Sequence, residues 1–296
     1  MSKSTYVFSG HQTFVLRASW LKRLYDELCI NPHVLTADDA VVRLGVGKNM
    51  VDAMRYWGTV TGMVTDADNG GMVATSIAHQ LFRDDGVDPF IVTAWARWFL
   101  HWQLIKSKAY TWRHVFMQMN GNDIVIDTVV RDIASAMQKI GHKVPATEVL
   151  RRDVQCVLRC YVPRTSEESL NEDFLLCPFL SLQLMQPLDD GARLTSGTRD
   201  DLPDGLVMAC IADAMQQRQV TIMPFSDLMW SDVGPGRLFR LSEDALLDRV
   251  ARLELLSQGA ANYSDHGGVR AVQWRDVMQV DVMEWALRDM TVGARP

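Results

Sequence analysis

The stretch that most constrains the fold is Val41-Val42-Arg43-Leu44-Gly45-Val46-Gly47-Lys48-Asn49-Met50-Val51-Asp52-Ala53-Met54-Arg55-Tyr56-Trp57. Asp38, Asp39 and the apolar Ala40, Val41, Val42 and Leu44 predict one helix, and Lys48 opens a second. Gly45 and Gly47 can take the positive φ that a tight reversal needs. Two helices joined by a short glycine-containing turn form a helix-turn-helix pattern. At about 100° per residue, Met50, Val51, Met54, Trp57 and Gly58 share one side of the second helix. Lys48, Asn49, Asp52, Arg55, Tyr56 and Thr59 share the other. A recognition helix has this division, apolar toward its own domain and donors outward. Lys48 and Asn49 stand in its first turn, where backbone N–H groups can meet phosphate. Asn pairs in two places with adenine, and Arg with guanine. The DNA-binding candidates are therefore Lys48, Asn49 and Arg55, with Arg17 upstream. The competing reading is an ordinary helical hairpin with a wet polar face.

Downstream, Gly62-Met63-Val64-Thr65 and Met72-Val73-Ala74-Thr75 flank Asp66-Ala67-Asp68-Asn69-Gly70-Gly71, which predicts a hairpin with an Asn-Gly-Gly turn. Helix, turn, helix and hairpin make a winged helix. Ser76–Phe82 reads as a short amphipathic helix, ended by the turn-rich Asp84-Asp85-Gly86-Val87-Asp88-Pro89. Ser9 or Thr13 is expected to cap the helix carrying Trp20 and Leu21. His11, near the start, is the one candidate for catalysis or phosphate contact, against the plainer role of satisfying a backbone group.

Residues 90–160 read as helical. Trp95, Trp98, Phe99 and Trp102 recur at helical spacing, as a core stripe does. Residues 164–204 read as loop-rich. Asp153, Glu172 and Asp173 are acidic residues that a metal ion would need grouped, but solvated charges and caps explain each more cheaply. The last part repeats the opening logic. A helix from Leu206 to Arg218 and a short strand at 219–222 precede a helix capped by Ser242. A second glycine-turn hairpin follows at 261–274. The expected fold is mainly α, in three modules. These are an N-terminal winged helix-turn-helix over residues 1–86, a helical bundle with a loop-rich end over 87–204, and a C-terminal winged-helix-like module with short β-hairpins over 205–296.

Composition narrows the function classes. Hydrophobic residues make up 48% and charged residues 22% of the chain, as in globular proteins. No apolar run is long enough to span a bilayer and the start is not signal-like, so a cytoplasmic protein without membrane contact is expected. The five cysteines are widely spaced and lack a CxxC pair, which predicts free thiols. The net charge of −6 requires any nucleic-acid contact to come from a local patch or from a complex. The absence of P-loop, GxGxxG, HExxH and nucleophile-elbow motifs argues against a nucleotide cofactor and against common hydrolases.

Five signatures together resemble one family. They are Phe8-Ser9-Gly10-His11-Gln12-Thr13-Phe14 with Leu16-Arg17 and Trp20-Leu21-Lys22; Arg43–Val51 with Arg55-Tyr56-Trp57; Asp88-Pro89 with Trp98 and Leu100-His101-Trp102; Asp153-Val154-Gln155-Cys156 with Tyr161-Val162-Pro163 and Cys177-Pro178; and Phe239–Leu246. They are similar to the SspB-like family of bacterial DNA phosphorothioation and phage-defence operons. The resemblance implies a double-stranded DNA partner and a metal-dependent nick in one strand, with magnesium or manganese as cofactor. It also implies an ATPase, a sulfurtransferase and a cysteine desulfurase as partner proteins. Family members usually carry Glu after the first His where this chain has Gln12, which puts any ligand or base role of that position in question. The resemblance transfers no catalytic residue. A non-enzymatic DNA-binding adaptor or transcriptional regulator is the alternative.

Overall fold

The structure is a computed structural model and describes residues 6–68, 70–163 and 177–290. Asn69 of the first hairpin, the stretch 164–176 and its Glu172 and Asp173 lie outside the described residues.

The chain divides into two compact units. The first comprises residues 1–92, 100–115 and 119–194, and the second residues 93–99, 116–118 and 195–296. This differs from the expected three modules. Residues on both sides of the expected boundary at 86 share one core in the first unit, as the contacts of Asp153 below show.

In the first unit, helix α1 (Ala18–Ile30) buries Trp20, Leu21, Leu24, Tyr25 and Leu28. It starts without a capping side chain. Ser9 and Thr13, expected as caps, lie instead in a loop at φ of 61° and 69°. Helix α2 (Ala40–Leu44) has only five residues. Gly45 closes it in the left-handed region at φ 63°, donating to the carbonyls of Val41 and Val42. Gly47 is extended, at φ −66° and ψ 161°, and precedes helix α3 (Lys48–Val60). Only the first of the two glycines therefore supplies the reversal. Strands β1 (Val64–Asp66) and β2 (Met72–Ala74) pair antiparallel with Val64 opposite Ala74. Thr75 then caps helix α4 (Ser76–Phe82), its side chain accepting from Ala78 N–H.

Helix α5 (Ala94–Lys106) is buried nearly all round, with Trp95, Trp98, Phe99 and Trp102 at most 1% exposed. Such a helix belongs to a core, as its spacing predicted. Helix α6 (Tyr110–Arg113) runs into a π-turn at His114–Gln118. Helices α7 (Ile126–Lys139) and α8 (Thr147–Tyr161) pack together. The described end of the loop-rich stretch holds strands β4 (Met185–Leu188) and β5 (Gly191–Leu194). They join β3 (Asp123–Val125) in an antiparallel sheet ordered β3-β5-β4. Asp189 and Asp190, read as loop, are the turn of that hairpin. Its inward Met185, Ala192 and Leu194 are too few to show an alternating pattern in the sequence.

In the second unit, helix α9 (Asp204–Arg218) packs against α14 (Val282–Leu287). Trp95 Nε1–H donates to the Ala286 carbonyl at 2.7 Å. Between them come strand β6 (Ile222–Pro224) and helices α10 (Phe225–Trp230), α11 (Pro235–Leu238), α12 (Glu243–Ala251) and α13 (Leu253–Leu256). Strands β7 (Ala261–His266) and β8 (Val269–Trp274) follow. The hairpin turns at Gly267 and Gly268, and β6 joins it in the order β6-β8-β7. Ser242 caps α12 by accepting from Ala245 N–H. Ser242→Ala is expected to cost about 1 kcal/mol, read as a small drop in melting temperature. Among the described residues no helix is long and apolar enough to cross a membrane.

Candidate nucleic-acid interface

Helix α3 sorts its residues largely as its period dictates. Val51, Ala53, Met54, Trp57, Gly58 and Val60 are buried, while Lys48, Asn49, Asp52, Arg55 and Thr59 are exposed. Lys48 and Asn49 share the first turn, and neither makes a described hydrogen bond or ion pair. Gly47 offers no side chain to cap that turn. Arg55 lies two turns further along, its guanidinium 3.9 Å from Asp66 of β1. That contact is long and both groups are exposed, so it adds little stability.

Arg17 is half-buried and lies off α3, at the residue that precedes α1. Its guanidinium stacks over Trp20 at 4.8 Å from the ring centroid. Together with Lys22, Arg23, Gly45 and Val46 it lines a groove of about 550 Å³. The turn before α3 thus forms one wall of a cleft whose other wall is α1. Arg23 Nη1–H donates to the Leu44 carbonyl at 2.8 Å, fixing the end of α2 to α1. Arg43 does the same through Glu27, at 2.8 Å.

Tyr56 departs from the expected polar face, being only 7% exposed. The loop from Ser9 to Thr13 covers it. A Cβ on Gly10 would lie 2.4 Å from Tyr56 Cδ2, so only glycine lets the loop lie on the ring. Burial holds the Tyr56 phenol well above its ordinary pKa. Gly10→Ala is expected to destabilise the fold by about 1–3 kcal/mol through overpacking. An unchanged thermal melt would contradict that contact.

His11 is not on the surface. It is fully buried, with the rings of Tyr56, Trp57 and Trp112 around it at centroid distances of 5.7, 6.5 and 5.7 Å. Its Nε2 lies 2.9 Å from Asp153 Oδ1. The same oxygen accepts from Ser9 N–H at 2.8 Å, and Oδ2 accepts from Thr111 Oγ1–H at 3.1 Å. Burial opposes a charged imidazole, while the Cys156 sulfur and the Asp153 carboxylate favour one and would raise its pKa to about 9. The backbone sides with burial. Thr13 N–H points at Nδ1 from 3.0 Å, and only an unprotonated ring nitrogen accepts. The ring is thus neutral, with its proton on Nε2 facing Asp153. It holds the loop in place, and neither nitrogen is open to solvent.

Asp153 is the residue that the sequence reading missed. Read as a solvated charge, it is 1% exposed. A signal existed: Asp153 falls on the α8 face that carries Leu150, Val154 and Val157, and a lone carboxylate in an apolar stripe needs partners. What could not be read was which donors, 42 to 144 residues away, would meet it.

Among the described residues no three His, Cys, Asp or Glu side chains converge to hold a metal ion. The second unit has an acidic cleft of about 420 Å³ lined by Asp200, Asp204, Asp244 and Asp248. There Asp204 is already engaged by Arg249 at 3.4 Å and Arg252 at 3.2 Å. The five cysteines are free thiols, with Cys29 exposed and the others buried.

A family model described as "Protein of unknown function (DUF4007)" matches residues 8–289. No curated protein matches the chain. Two solved structures resemble it. The SspB crystal structure superposes with a TM-score of 0.85 at 27% identity, covering 98% of this chain and 89% of that one. The magnesium ion-bound SspB crystal structure gives 0.81 at 27% identity, covering 96% and 94%. With nearly its whole length matched, and the SspB fold reproduced from end to end, the chain belongs to the DUF4007 family and is SspB-like.

Proposed function

We propose that this protein engages double-stranded DNA as a subunit of a phosphorothioation system. In this reading α2, the Gly45 turn, α3 and the β1–β2 hairpin act as a winged helix-turn-helix. The observation that carries it is the start of α3, where Lys48 and Asn49 are exposed and uncommitted. Arg55 extends the same exposed face. With a net charge of −6, the contact is local, and the partner proteins of the resemblance supply the remaining affinity. These are an ATPase, a sulfurtransferase and a cysteine desulfurase. His11 acts here as a positioning residue, setting the loop that covers α3.

Strand cutting is the finer part of this reading. A divalent ion would supply a Lewis acid and an activated water. Among the described residues no group of three or more His, Cys, Asp or Glu side chains would hold one. The second reading is a DNA-binding adaptor that brings the duplex to its partners. A supercoiled plasmid incubated with pure protein and magnesium or manganese separates the two. Conversion to open circles supports a nickase. A gel shift without conversion supports the adaptor, and failure to shift any duplex removes both.

A further inference from the structure

The segment Asp88-Pro89-Phe90-Ile91-Val92 has a conformation that its sequence disfavours. Ile91 adopts φ 56°, a left-handed geometry that β-branched residues rarely take. Strain of this kind persists only where the surroundings enforce it. The enforcing group here is Asp88, 2% exposed, whose Oδ1 accepts from Val92 N–H at 2.9 Å. Ile91 N–H bonds the Asp88 carbonyl at 3.3 Å. The turn drives Ile91 inward to 2% exposure and leaves Phe90 outward at 68%. Phe90 lines the groove between α1 and the Gly45 turn, beside Arg17, Lys22 and Arg23.

We infer that Phe90 is a stacking residue for one unpaired nucleotide of the bound DNA, with Arg17, Lys22 and Arg23 receiving its flanking phosphates. The inference rests on the DNA-engaging reading above and adds the state of the DNA that this groove takes. A ring on the protein surface meets a base face where a base has left the helical stack or a step has opened to admit it, and a single unpaired nucleotide offers that face without the cost of opening a step. The groove's volume of about 550 Å³ lies in the range of ligand clefts, about 300–1,000 Å³. Three cations against Asp26 and Glu27 leave the lining net positive by one. That suits a phosphate-bearing ligand better than an apolar protein segment. Lys22 pairs with Asp26 at 2.6 Å and lies 3.8 Å from Asp84, and the Arg17 guanidinium rests on the Trp20 face, so both cations are anchored at the groove wall.

The test uses the full chain and two duplexes, one fully paired and one carrying a single unpaired 2-aminopurine. Wild-type protein is expected to quench the 2-aminopurine fluorescence. It should also bind that duplex roughly tenfold more tightly than the paired one, the size of one base–aromatic stack. Phe90→Ala should abolish both effects while keeping paired-duplex affinity within about twofold, since one stack is all that it removes. Phe90→Tyr should restore them. Its exposed position predicts an unchanged melt, so misfolding does not mimic the result. If Phe90→Ala retains quenching and preference, the inference is overturned and the ring is left to a protein contact. If wild-type protein binds both duplexes alike, the groove assignment falls while the DNA-engaging reading stands. If it binds neither, both fall.

Discussion

Asp153→Ala is expected to lower the unfolding free energy by about 3–5 kcal/mol. The substitution strands three donors at once, the buried His11 Nε2–H and Thr111 Oγ1–H and the part-buried Ser9 N–H. Each unsatisfied donor costs about 1–3 kcal/mol, and removing the buried carboxylate's own desolvation returns part of that. In a chain of this size the loss corresponds to a drop in melting temperature of roughly 10 °C. Asp153→Asn separates charge from hydrogen bonding. Its amide oxygen still accepts from Ser9 and His11, and the Thr111 hydroxyl can rotate to accept from its NH₂. A smaller loss than with Ala follows from a neutral His11. An equal loss would show that the carboxylate charge itself holds the ring, and so that the ring is charged. A melt for Asp153→Ala within a degree or two of wild type would remove the clamp from the account.

The second large effect concerns binding. Lys48→Ala combined with Asn49→Ala is expected to weaken duplex affinity by about 10- to 100-fold, since contacts of this kind are worth about 1–3 kcal/mol each. Loss of the Lys48 phosphate contact should also reduce the slope of log affinity against log salt by about one. The fold should be untouched, because both side chains are exposed and hold nothing else in place. Anisotropy titrations at two salt concentrations, with a thermal melt as control, measure all three. Unaltered affinity and slope would remove α3 as the interface, whatever the plasmid assay shows.

Much of this architecture is legible in local pattern. The short α2, α3, both glycine-turn hairpins and the Ser242 cap come from periodicity and turn chemistry, which act over a few residues. The tryptophan stripe of α5 is readable for the same reason. The errors share a different cause. Tyr56 falls on the polar side of a helical wheel, and only the Gly10 loop, 46 positions earlier, covers it. Asp153 looks like a surface acid because its partners are remote in sequence. The strand pairing of β3 with β5 is equally non-local. Residue types at the candidate interface are readable. The side chains that hold its backbone in place are not, because tertiary contacts select them.

The clamp between the opening loop and α8 also bears on how the chain is made. Ser9 and His11 leave the ribosome long before Asp153, and their partner oxygen arrives 144 and 142 residues later. Contacts that span so much chain form late. The nascent N-terminal segment must wait with its histidine unpaired and its aromatic neighbours uncovered until α8 is synthesised. A fragment stopped at residue 86 would carry the helices and the hairpin of the first segment, yet lack the carboxylate that closes them.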